Sequence, residues 1–374
     1  MLSLRDIEDV AMKVMSHKAM AYYSSAADDE ITNRENARAF SRFFFHPRIL
    51  RPISKVDVST TILGHKSSIP VFVCGAALAK LGHPLGEVNI TKGAGRTGII
   101  QMVSSNASLS PSQIAEGRLS PSQPLFFQLY KHSDNVAAKR VREVEELGYQ
   151  AIFLTVDAPA SGNRERDIRA PYELEEQERE GQPSEEKEME GQQPNLYGTA
   201  GALLQNVDMN MTFKEASCCT IPWLRSVTKL PIALKGVQCV EDAVLAAEAG
   251  VDAILLSNHG GRQLEYALPP LEVLYKIRQQ RPDLFNKLEI YIDGGARRGT
   301  DVLKALCLGA KAVGMGRPFL YAQSAYGEAG VVQAVRILQR EIILGMRLLG
   351  VTSVDQLTPE LVERVDWQPM LARL

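Results

Sequence analysis

The stretch Pro231–His259, PIALKGVQCVEDAVLAAEAGVDAILLSNH, contains the repeating unit that decides the fold. Two apolar runs, Pro231–Gly236 and Asp252–Ser257, flank a helical segment, Val240–Ala249, that has apolar residues at helical spacing. The two runs show little alternation of polar and apolar residues, as strands buried on both faces do in parallel sheets. A strand, a helix and a second strand in this order indicate parallel α/β structure.

The same pattern recurs on both sides of this stretch. Six more apolar runs close at a turn or a polar residue and are predicted strands, namely Pro70–Ala77, Gly98–Ser104, Pro124–Tyr130, Ala151–Asp157, Glu289–Gly294 and Ala310–Gly316. Further helices are predicted over Asp134–Leu147, Pro270–Gln279 and Thr300–Leu308. Eight strands alternating with helices predict a closed (β/α)8 TIM barrel, with an open doubly wound sheet as the alternative.

The chain is interpreted as one domain, residues 1–374. Residues 1–69 are expected to cap the barrel with helices, residues 70–330 to form it, and residues 331–374 to add helices outside. The segment Tyr172–Gln193, YELEEQEREGQPSEEKEMEGQQ, is dense in glutamate and has too few apolar residues to offset its ordering entropy. It predicts an acidic mobile insertion over about residues 172–205, after strand four; a solvated helix is the alternative for part of it.

Composition excludes several classes of protein. The chain of 374 residues has a formal net charge of −2, whereas binding of nucleic acid needs a clustered basic surface. No apolar stretch approaches the ~20 residues of a membrane helix. The five cysteines form no CxxC pair and no zinc-like spacing with histidine, so we expect reduced thiols and no metal. The ending Ala372-Arg373-Leu374 is similar to a peroxisomal address, with an ordinary chain end and a cytoplasmic location as the alternative.

Polar residues that directly follow the predicted strands are the candidates for chemistry, because barrel enzymes react at those ends. In SNHGGRQ, Ser257–Gln263, His259 could remove a proton and Arg262 could clamp a carboxylate. This pair predicts a substrate with a carboxylate beside an acidic hydrogen; the alternative is a loop histidine and a surface arginine. Lys235 could form a Schiff base, hold a phosphate or stabilise an anion, and its neighbours leave these open.

Two glycine-rich loops predict a phosphate site. DGGARRG, Asp293–Gly299, follows strand seven, and Gly314–Arg317 follows strand eight, where many barrels bind phosphate. Their backbone N–H groups and arginines suit an anion, whereas a pair of tight turns is the alternative. By contrast, Gly93–Gly98 fits G-x-G-x-x-G but follows a helix and opens a strand, so we infer no NAD site.

Taken together, these segments resemble the FMN-dependent L-2-hydroxy acid oxidase/dehydrogenase family, which includes glycolate oxidase, lactate oxidase and the flavin domain of flavocytochrome b2. The likeness runs from about residue 4 to about residue 360 and includes AYYSSAADDE, LTVDAP, LSNHGGRQL and DGGARRG. It is greatest to the fungal L-lactate dehydrogenases, although we expect no haem domain before this barrel. The resemblance implies FMN as cofactor, a small L-2-hydroxy acid as substrate, O2 or another electron acceptor, and a homotetramer.

The resemblance also implies a role for each matching residue. His259 would be the base, held by Asp157, and Lys235 would stabilise the reduced flavin. The substrate would be bound by Tyr22, Tyr130, Arg164, His259 and Arg262. Asn106 would occupy a further position on the substrate side of the site. FMN would be bound by Gly75, Ala76, Ala77, Ser104, Gln128, Thr155, Lys235, Ser257, Asp293, Gly294, Gly295, Ala296, Arg297, Gly316 and Arg317.

Three positions depart from the family pattern. Ala76 stands where threonine is usual, Asn106 where tryptophan or leucine is usual, and Glu265 where aspartate is usual. Asn106 could change the preferred substrate size or the reactivity with oxygen, so neither glycolate nor lactate is assigned. The expected absence of a haem domain and the Ala-Arg-Leu ending favour an oxidase of the lactate or glycolate class that forms H2O2. An L-lactate dehydrogenase is the alternative; a non-redox lyase or isomerase using Lys235 and an inactive flavin-binding scaffold are more distant ones.

Overall fold

A computed structural model describes residues 1–170, 198–204, 207–213 and 220–365. Most of the predicted acidic insertion, about residues 172–205, lies outside these ranges, as does the C-terminal tripeptide Ala372–Leu374. Cys218 and Cys219 also lie outside them, whereas Cys74, Cys239 and Cys307 are free thiols.

Eight parallel strands close into a barrel in the order in which they follow along the chain, so the predicted (β/α)8 fold is confirmed. The strands of the structure are β1 (Phe43–Phe45), β2 (Thr60–Ile62), β3 (His65–Ser67), β4 (Val71–Val73), β5 (Ile100–Ser104), β6 (Leu125–Leu129), β7 (Ile152–Thr155), β8 (Ile232–Val237), β9 (Ala253–Leu256), β10 (Glu289–Ile292), β11 (Ala312–Met315) and β12 (Val362–Arg364). The barrel consists of β4 to β11. Each predicted apolar run overlaps one of these eight strands, because every barrel strand is buried on both faces.

Helices surround the barrel. They are α1 (Leu4–Val14), α2 (His17–Ser24), α3 (Ile31–Phe40), α4 (Glu87–Thr97), α5 (Pro111–Glu116), α6 (Asp134–Glu146), α7 (Gly198–Leu203), α8 (Thr220–Val227), α9 (Val240–Glu248), α10 (Pro270–Gln280), α11 (Gly299–Cys307) and α12 (Arg317–Leu349). Short 3-10 turns cover Ala79–Leu81, Pro282–Asn286, Val354–Gln356 and Pro359–Leu361. The four helices predicted between strands agree with α6, α9, α10 and α11 within one residue at each end.

Aromatic side chains fill the barrel interior. Phe72 contacts Phe153 and Tyr291 with ring centroids 6.3 and 5.6 Å apart, and Phe126 stacks on Phe153 at 5.7 Å. All four are fully buried. Truncating one such ring to alanine would cost about 3–5 kcal/mol. The barrel is therefore a packed core, and any ligand site must lie at one of its ends.

The N-terminal end of the barrel is closed by the hairpin of β2 and β3. Ile62 joins the interior aromatic cluster, and the backbone N–H of Leu63 donates to Glu289 Oε2 at 3.1 Å and to the Tyr291 hydroxyl at 3.2 Å. Residues 1–69 contain the helices α1 to α3, followed along the chain by β1 and then by this hairpin. The C-terminal end of the barrel remains as the place for a site.

The remaining elements bear on two further predictions. Gly93–Gly98 spans the end of α4 and leads into β5, the helix-to-strand order that argued against an NAD site. The helical run of α12 continues through residue 331, with non-helical backbone at Tyr326 and Gly327.

β12 pairs with β1 and so ties the end of the described chain to the N-terminal cap. Among the described residues, no helix is long and apolar enough to cross a membrane.

Candidate active site

A cavity of about 340 Å³ lies at the C-terminal ends of the barrel strands. Eighteen of the predicted site residues line it, namely Tyr22, Gly75, Ala76, Ala77, Ser104, Asn106, Tyr130, Arg164, Lys235, His259, Arg262, Asp293, Gly294, Gly295, Ala296, Arg297, Gly316 and Arg317. Four others, Gln128, Thr155, Asp157 and Ser257, are buried and do not line it. The structure therefore brings the predicted residues to one place, with Asp157 behind the lining.

His259 is held between a carboxylate and a phenol. Its Nδ1 lies 3.0 Å from Asp157 Oδ1, and its Nε2 lies 3.2 Å from the Tyr130 hydroxyl. A carboxylate only accepts, so Nδ1 carries the proton and the neutral ring leaves Nε2 with a free lone pair. The backbone of His259 is left-handed, with φ of 58°, and its N–H donates to Ser257 Oγ at 3.1 Å. Nε2 is thus the basic atom on the side of Tyr130.

The charge state of His259 suits a proton acceptor. Burial, assisted by the positive field of Lys235, lowers the pKa of His259 to about 4, although Asp157 opposes this shift. The imidazole is therefore neutral at pH 7. A neutral ring can take a proton at Nε2, and Asp157 then stabilises the resulting imidazolium.

Lys235 is a buried charged group within β8. Its Nζ lies 3.9 Å from Asp157 Oδ2. Burial opposes the ammonium form, but the carboxylates of Asp157 and Asp293 outweigh it and raise the pKa of Lys235. In turn, burial opposes the charge of Asp157, but Lys235 and His259 lower the pKa of Asp157 below its usual value. A Schiff base requires a neutral amine, so this environment disfavours the lyase alternative.

Gly236 allows Asp157 to approach this strand. Its φ is 112°, and a Cβ at this position would lie 2.5 Å from the Cβ of Asp157. The strand register shifts between Lys235 and Val237. Only glycine combines this backbone conformation with so close a neighbour.

Two arginines form an anion site beside His259. The guanidinium carbon of Arg262 lies 4.8 Å from the Tyr22 ring centroid, and its Nη2 donates to the Tyr22 carbonyl. Arg164 Nε donates to the Arg262 carbonyl at 3.1 Å. Burial, with the nearby charge of Arg262, lowers the pKa of Arg164 to about 9, so it is still protonated at pH 7. Two adjacent guanidinium groups suit a substrate carboxylate.

Another part of the cavity lining suits a phosphate. Gly294 and Gly295 have φ of 84° and 85° and expose backbone N–H groups after β10. Arg317 begins α12; burial lowers its pKa to about 10, which leaves it charged at pH 7. Arg297 also borders the cavity, where its guanidinium pairs with Glu8 of α1.

The residues present fit FMN. Three buried polar atoms near the cavity have no hydrogen-bond partner within the described part of the chain, namely Asp157 Oδ2, Asp293 Oδ1 and Arg262 Nε. Arginines and glycine N–H groups suit a phosphate, polar groups suit the ribityl chain and ring, and a buried ammonium suits a ring that becomes negative on reduction. Within the described ranges, no cluster of three or more histidine, cysteine or carboxylate side chains could hold a metal.

Several lining residues were not found from the sequence. Asn33, Arg34 and Ala37 come from α3 in the N-terminal cap, and Leu203 and Leu204 come from α7 and its end. Nothing in the local sequence identifies these residues, because α3 and α7 reach the cavity through contacts with distant parts of the chain.

One signal was available for the docking of α3. Glu265 Oε2 accepts from the backbone N–H of Ile31 at 3.1 Å, and Oε1 accepts from that of Thr32 at 2.6 Å. This carboxylate follows the SNHGGRQ motif and holds the first turn of α3 beside the cavity.

Comparisons with known proteins find a family model and several relatives that cover most of the chain. Residues 11–364 match the model of a family described as FMN-dependent dehydrogenase. The chain is 46% identical over 369 residues to L-lactate dehydrogenase (cytochrome) of Wickerhamomyces anomalus, covering 97% of this chain and 61% of that protein. The chain is also 46% identical to the Saccharomyces cerevisiae protein of that name, covering 97% of this chain and 60% of that protein. The chain therefore spans about three fifths of the length of these relatives. Identity to glycolate oxidase 1 of Oryza sativa is 39% over 362 residues, covering 95% of this chain and 94% of that protein.

Solved structures give the same picture. The recombinant flavin-binding domain of baker's yeast flavocytochrome b2 matches with a TM-score of 0.86 and 44% identity, covering 99% of this chain and 89% of that one. A mandelate oxidase bound to a fluorinated 2-hydroxy acid matches with a TM-score of 0.82 and 31% identity, covering 98% and 100%. Fold and sequence therefore point to the same group of proteins.

Proposed function

The chain belongs to the FMN-dependent dehydrogenase family, and we propose from this that it uses FMN to oxidise a small L-2-hydroxy acid, of the lactate or glycolate class, to the 2-oxo acid. The proposal rests mainly on one set of contacts: His259 lies between Asp157 and Tyr130, within hydrogen-bond distance of both. Arg164 and Arg262 lie beside this set. This arrangement combines a proton acceptor, a hydroxyl partner and a carboxylate clamp in one cavity.

Each of these residues has a defined task. Arg262 and Arg164 bind the substrate carboxylate, and Tyr130 binds the hydroxyl. His259 Nε2 accepts one of the two protons that the substrate loses, and Asp157 stabilises the imidazolium. FMN, when bound, would accept the two electrons and the second proton. Lys235 supplies positive charge where negative charge accumulates.

Anaerobic absorbance of the bound flavin tests the proposal. L-lactate, glycolate and longer L-2-hydroxy acids should bleach the flavin band of the wild type. His259→Gln should retain FMN but lose about 10²–10⁴-fold in the rate of bleaching, because a general base is removed. His46→Gln is the matched control, since His46 is exposed and pairs with Glu363 away from the cavity. Equal rates in both variants would exclude His259 as the base.

For the electron acceptor we place O2 first, with H2O2 as the product. The similarity to glycolate oxidases over nearly their whole length supports this assignment. The higher identity to the cytochrome-linked L-lactate dehydrogenases supports the alternative, transfer to a cytochrome or another acceptor. Turnover in an oxygen electrode, compared with turnover with a redox dye, decides between them. Fast dye reduction with negligible oxygen uptake would favour the dehydrogenase.

Two further proposals concern assembly and location. We propose a homotetramer on the basis of the family resemblance, and light scattering of the purified protein measures it directly. A peroxisomal location stays a prediction from Ala372-Arg373-Leu374. A fluorescent protein fused ahead of the chain, with and without this tripeptide, tests that prediction.

A further inference from the structure

Lys131, directly after Tyr130, is a buried cation with three partners. Its side chain is 6% exposed, and its Nζ pairs with Asp134 of α6 at 2.7 Å and with Asp208. The ammonium also lies 5.1 Å from the Trp223 ring centroid on α8. Burial opposes its charge, but both carboxylates raise the pKa of Lys131 above its usual value.

Asp208 is attached to Lys131 twice. Besides the ion pair, its backbone N–H donates to the Lys131 carbonyl at 2.8 Å. Asp208 is therefore held in a fixed place relative to the residues at the end of β6. Asp134 differs, because it lies on the first turn of α6, three residues along the chain from Lys131.

Val207 and Leu204, which precede Asp208 along the chain, form a wall of the candidate active site. Val207 is buried in a cluster with Tyr130 and Ala158, and Leu204 packs against that cluster. Leu204 lines the cavity together with its neighbour Leu203.

The same wall is joined to the strand ends by one side chain. Asn106 Nδ2 donates to the Leu203 carbonyl at 3.2 Å. The wall therefore contacts residues that follow both β5 and β6, and it bounds the space beside Tyr130.

We propose that Lys131 is a positioning residue, which through Asp208 holds Val207 and Leu204 against Tyr130 and thereby limits the size of the substrate side chain. The inference rests on the proposed function, because it concerns the same cavity. An apolar wall discriminates between side chains by about tenfold or more per methylene, provided that it does not move. The simpler possibility is that both carboxylates only neutralise a buried ammonium, for which Asp134 and Asp208 are equivalent.

The test compares Asp208→Asn with Asp134→Asn, which remove one carboxylate each from the same ammonium. In Asp208→Asn, the ratio of kcat/KM for L-2-hydroxyisocaproate to that for L-lactate should rise about tenfold, mainly through KM. In Asp134→Asn the ratio should stay within about twofold of the wild type. Asp208→Glu should restore most of the wild-type ratio. Equal shifts in both asparagine variants, or no shift in either, would overturn the proposal.

Hydrogen exchange gives a second readout that needs no turnover. The amides of Leu204 and Asp208 donate to the Gly201 and Lys131 carbonyls. They should exchange about tenfold faster in Asp208→Asn than in Asp134→Asn, since local opening becomes easier. If Asp208→Asn does not fold, Lys131→Met serves instead and should raise the same kcat/KM ratio; an unchanged ratio contradicts the proposal.

Failure of the two proposals can be told apart. A wild type that no 2-hydroxy acid bleaches refutes the proposed function, and hydrogen exchange still tests the positioning. A wild type that is bleached, with equal exchange and equal selectivity in both asparagine variants, refutes the positioning alone.

Discussion

Replacing Asp157 with asparagine should preserve the shape of the site and remove the charge that stabilises a protonated His259. The carboxylate oxygens lie 3.0 Å from His259 Nδ1 and 3.9 Å from Lys235 Nζ. Two unit charges about 4 Å apart interact by about 4 kcal/mol at an effective dielectric constant of about 20. Lys235 stays charged and then opposes the imidazolium without compensation. A loss of about 4 kcal/mol in the transition state corresponds to flavin reduction about 10³-fold slower.

Anaerobic stopped-flow absorbance with saturating L-lactate measures this rate, and the absorbance before mixing reports the FMN content. The control is Asp283→Asn, which removes an exposed carboxylate paired with Arg281 and Lys287. It should leave the rate within about twofold of the wild type. A fall of less than about tenfold in Asp157→Asn with FMN fully bound would refute the reasoning, because the charge would then not act on His259.

Three further predictions concern stability and cofactor binding. Burial holds the pKa of His259 at about 4 instead of 6.5, so between these values only the unfolded chain binds the proton and stability rises with pH. At pH 5 the free energy of unfolding should be about 2 kcal/mol lower than at pH 7. Urea unfolding of His259→Gln should show a smaller decrease between these pH values, and an equal decrease would contradict the buried neutral ring. Gly236→Ala should lower the free energy of unfolding by about 3 kcal/mol and slow flavin reduction, since its Cβ would overlap Asp157. Gly250→Ala, with open space around its Cβ, should cost only about 1 kcal/mol, and equal losses would argue against the overlap. Glu265→Gln should weaken the capping of α3 by about 1 kcal/mol and raise the Kd for FMN, measured by flavin fluorescence; an unchanged Kd would show that α3 does not shape the cofactor site.

The barrel and the centre of its site were predictable for one physical reason. Strands buried on both faces are continuous apolar runs, and the residues that end parallel strands meet at one end of a barrel. This rule places Asp157 and His259 together although they are 102 residues apart in sequence. It also brings Lys235, Asp293 and Arg317 into the same cavity.

Features that depend on long-range docking were not predictable. The strands β2 and β3 have the sequences TTI and HKS, which contain no apolar run that would identify a strand. The pairing of β1 with β12 joins opposite parts of the chain. Lys131 and Asp208 lie 77 residues apart, and nothing in the sequence around either residue identifies the other as its partner.

The central claim is that His259, Arg262 and Lys235 act on one substrate beside one flavin. A crystal structure of the protein with FMN and a 2-oxo acid product tests it most directly. The account predicts the product carboxylate within hydrogen-bond distance of Arg262 and Arg164, its carbonyl oxygen near His259 Nε2 and Tyr130, and the flavin ring against Lys235. A flavin bound elsewhere, or a product that contacts neither arginine, would contradict it.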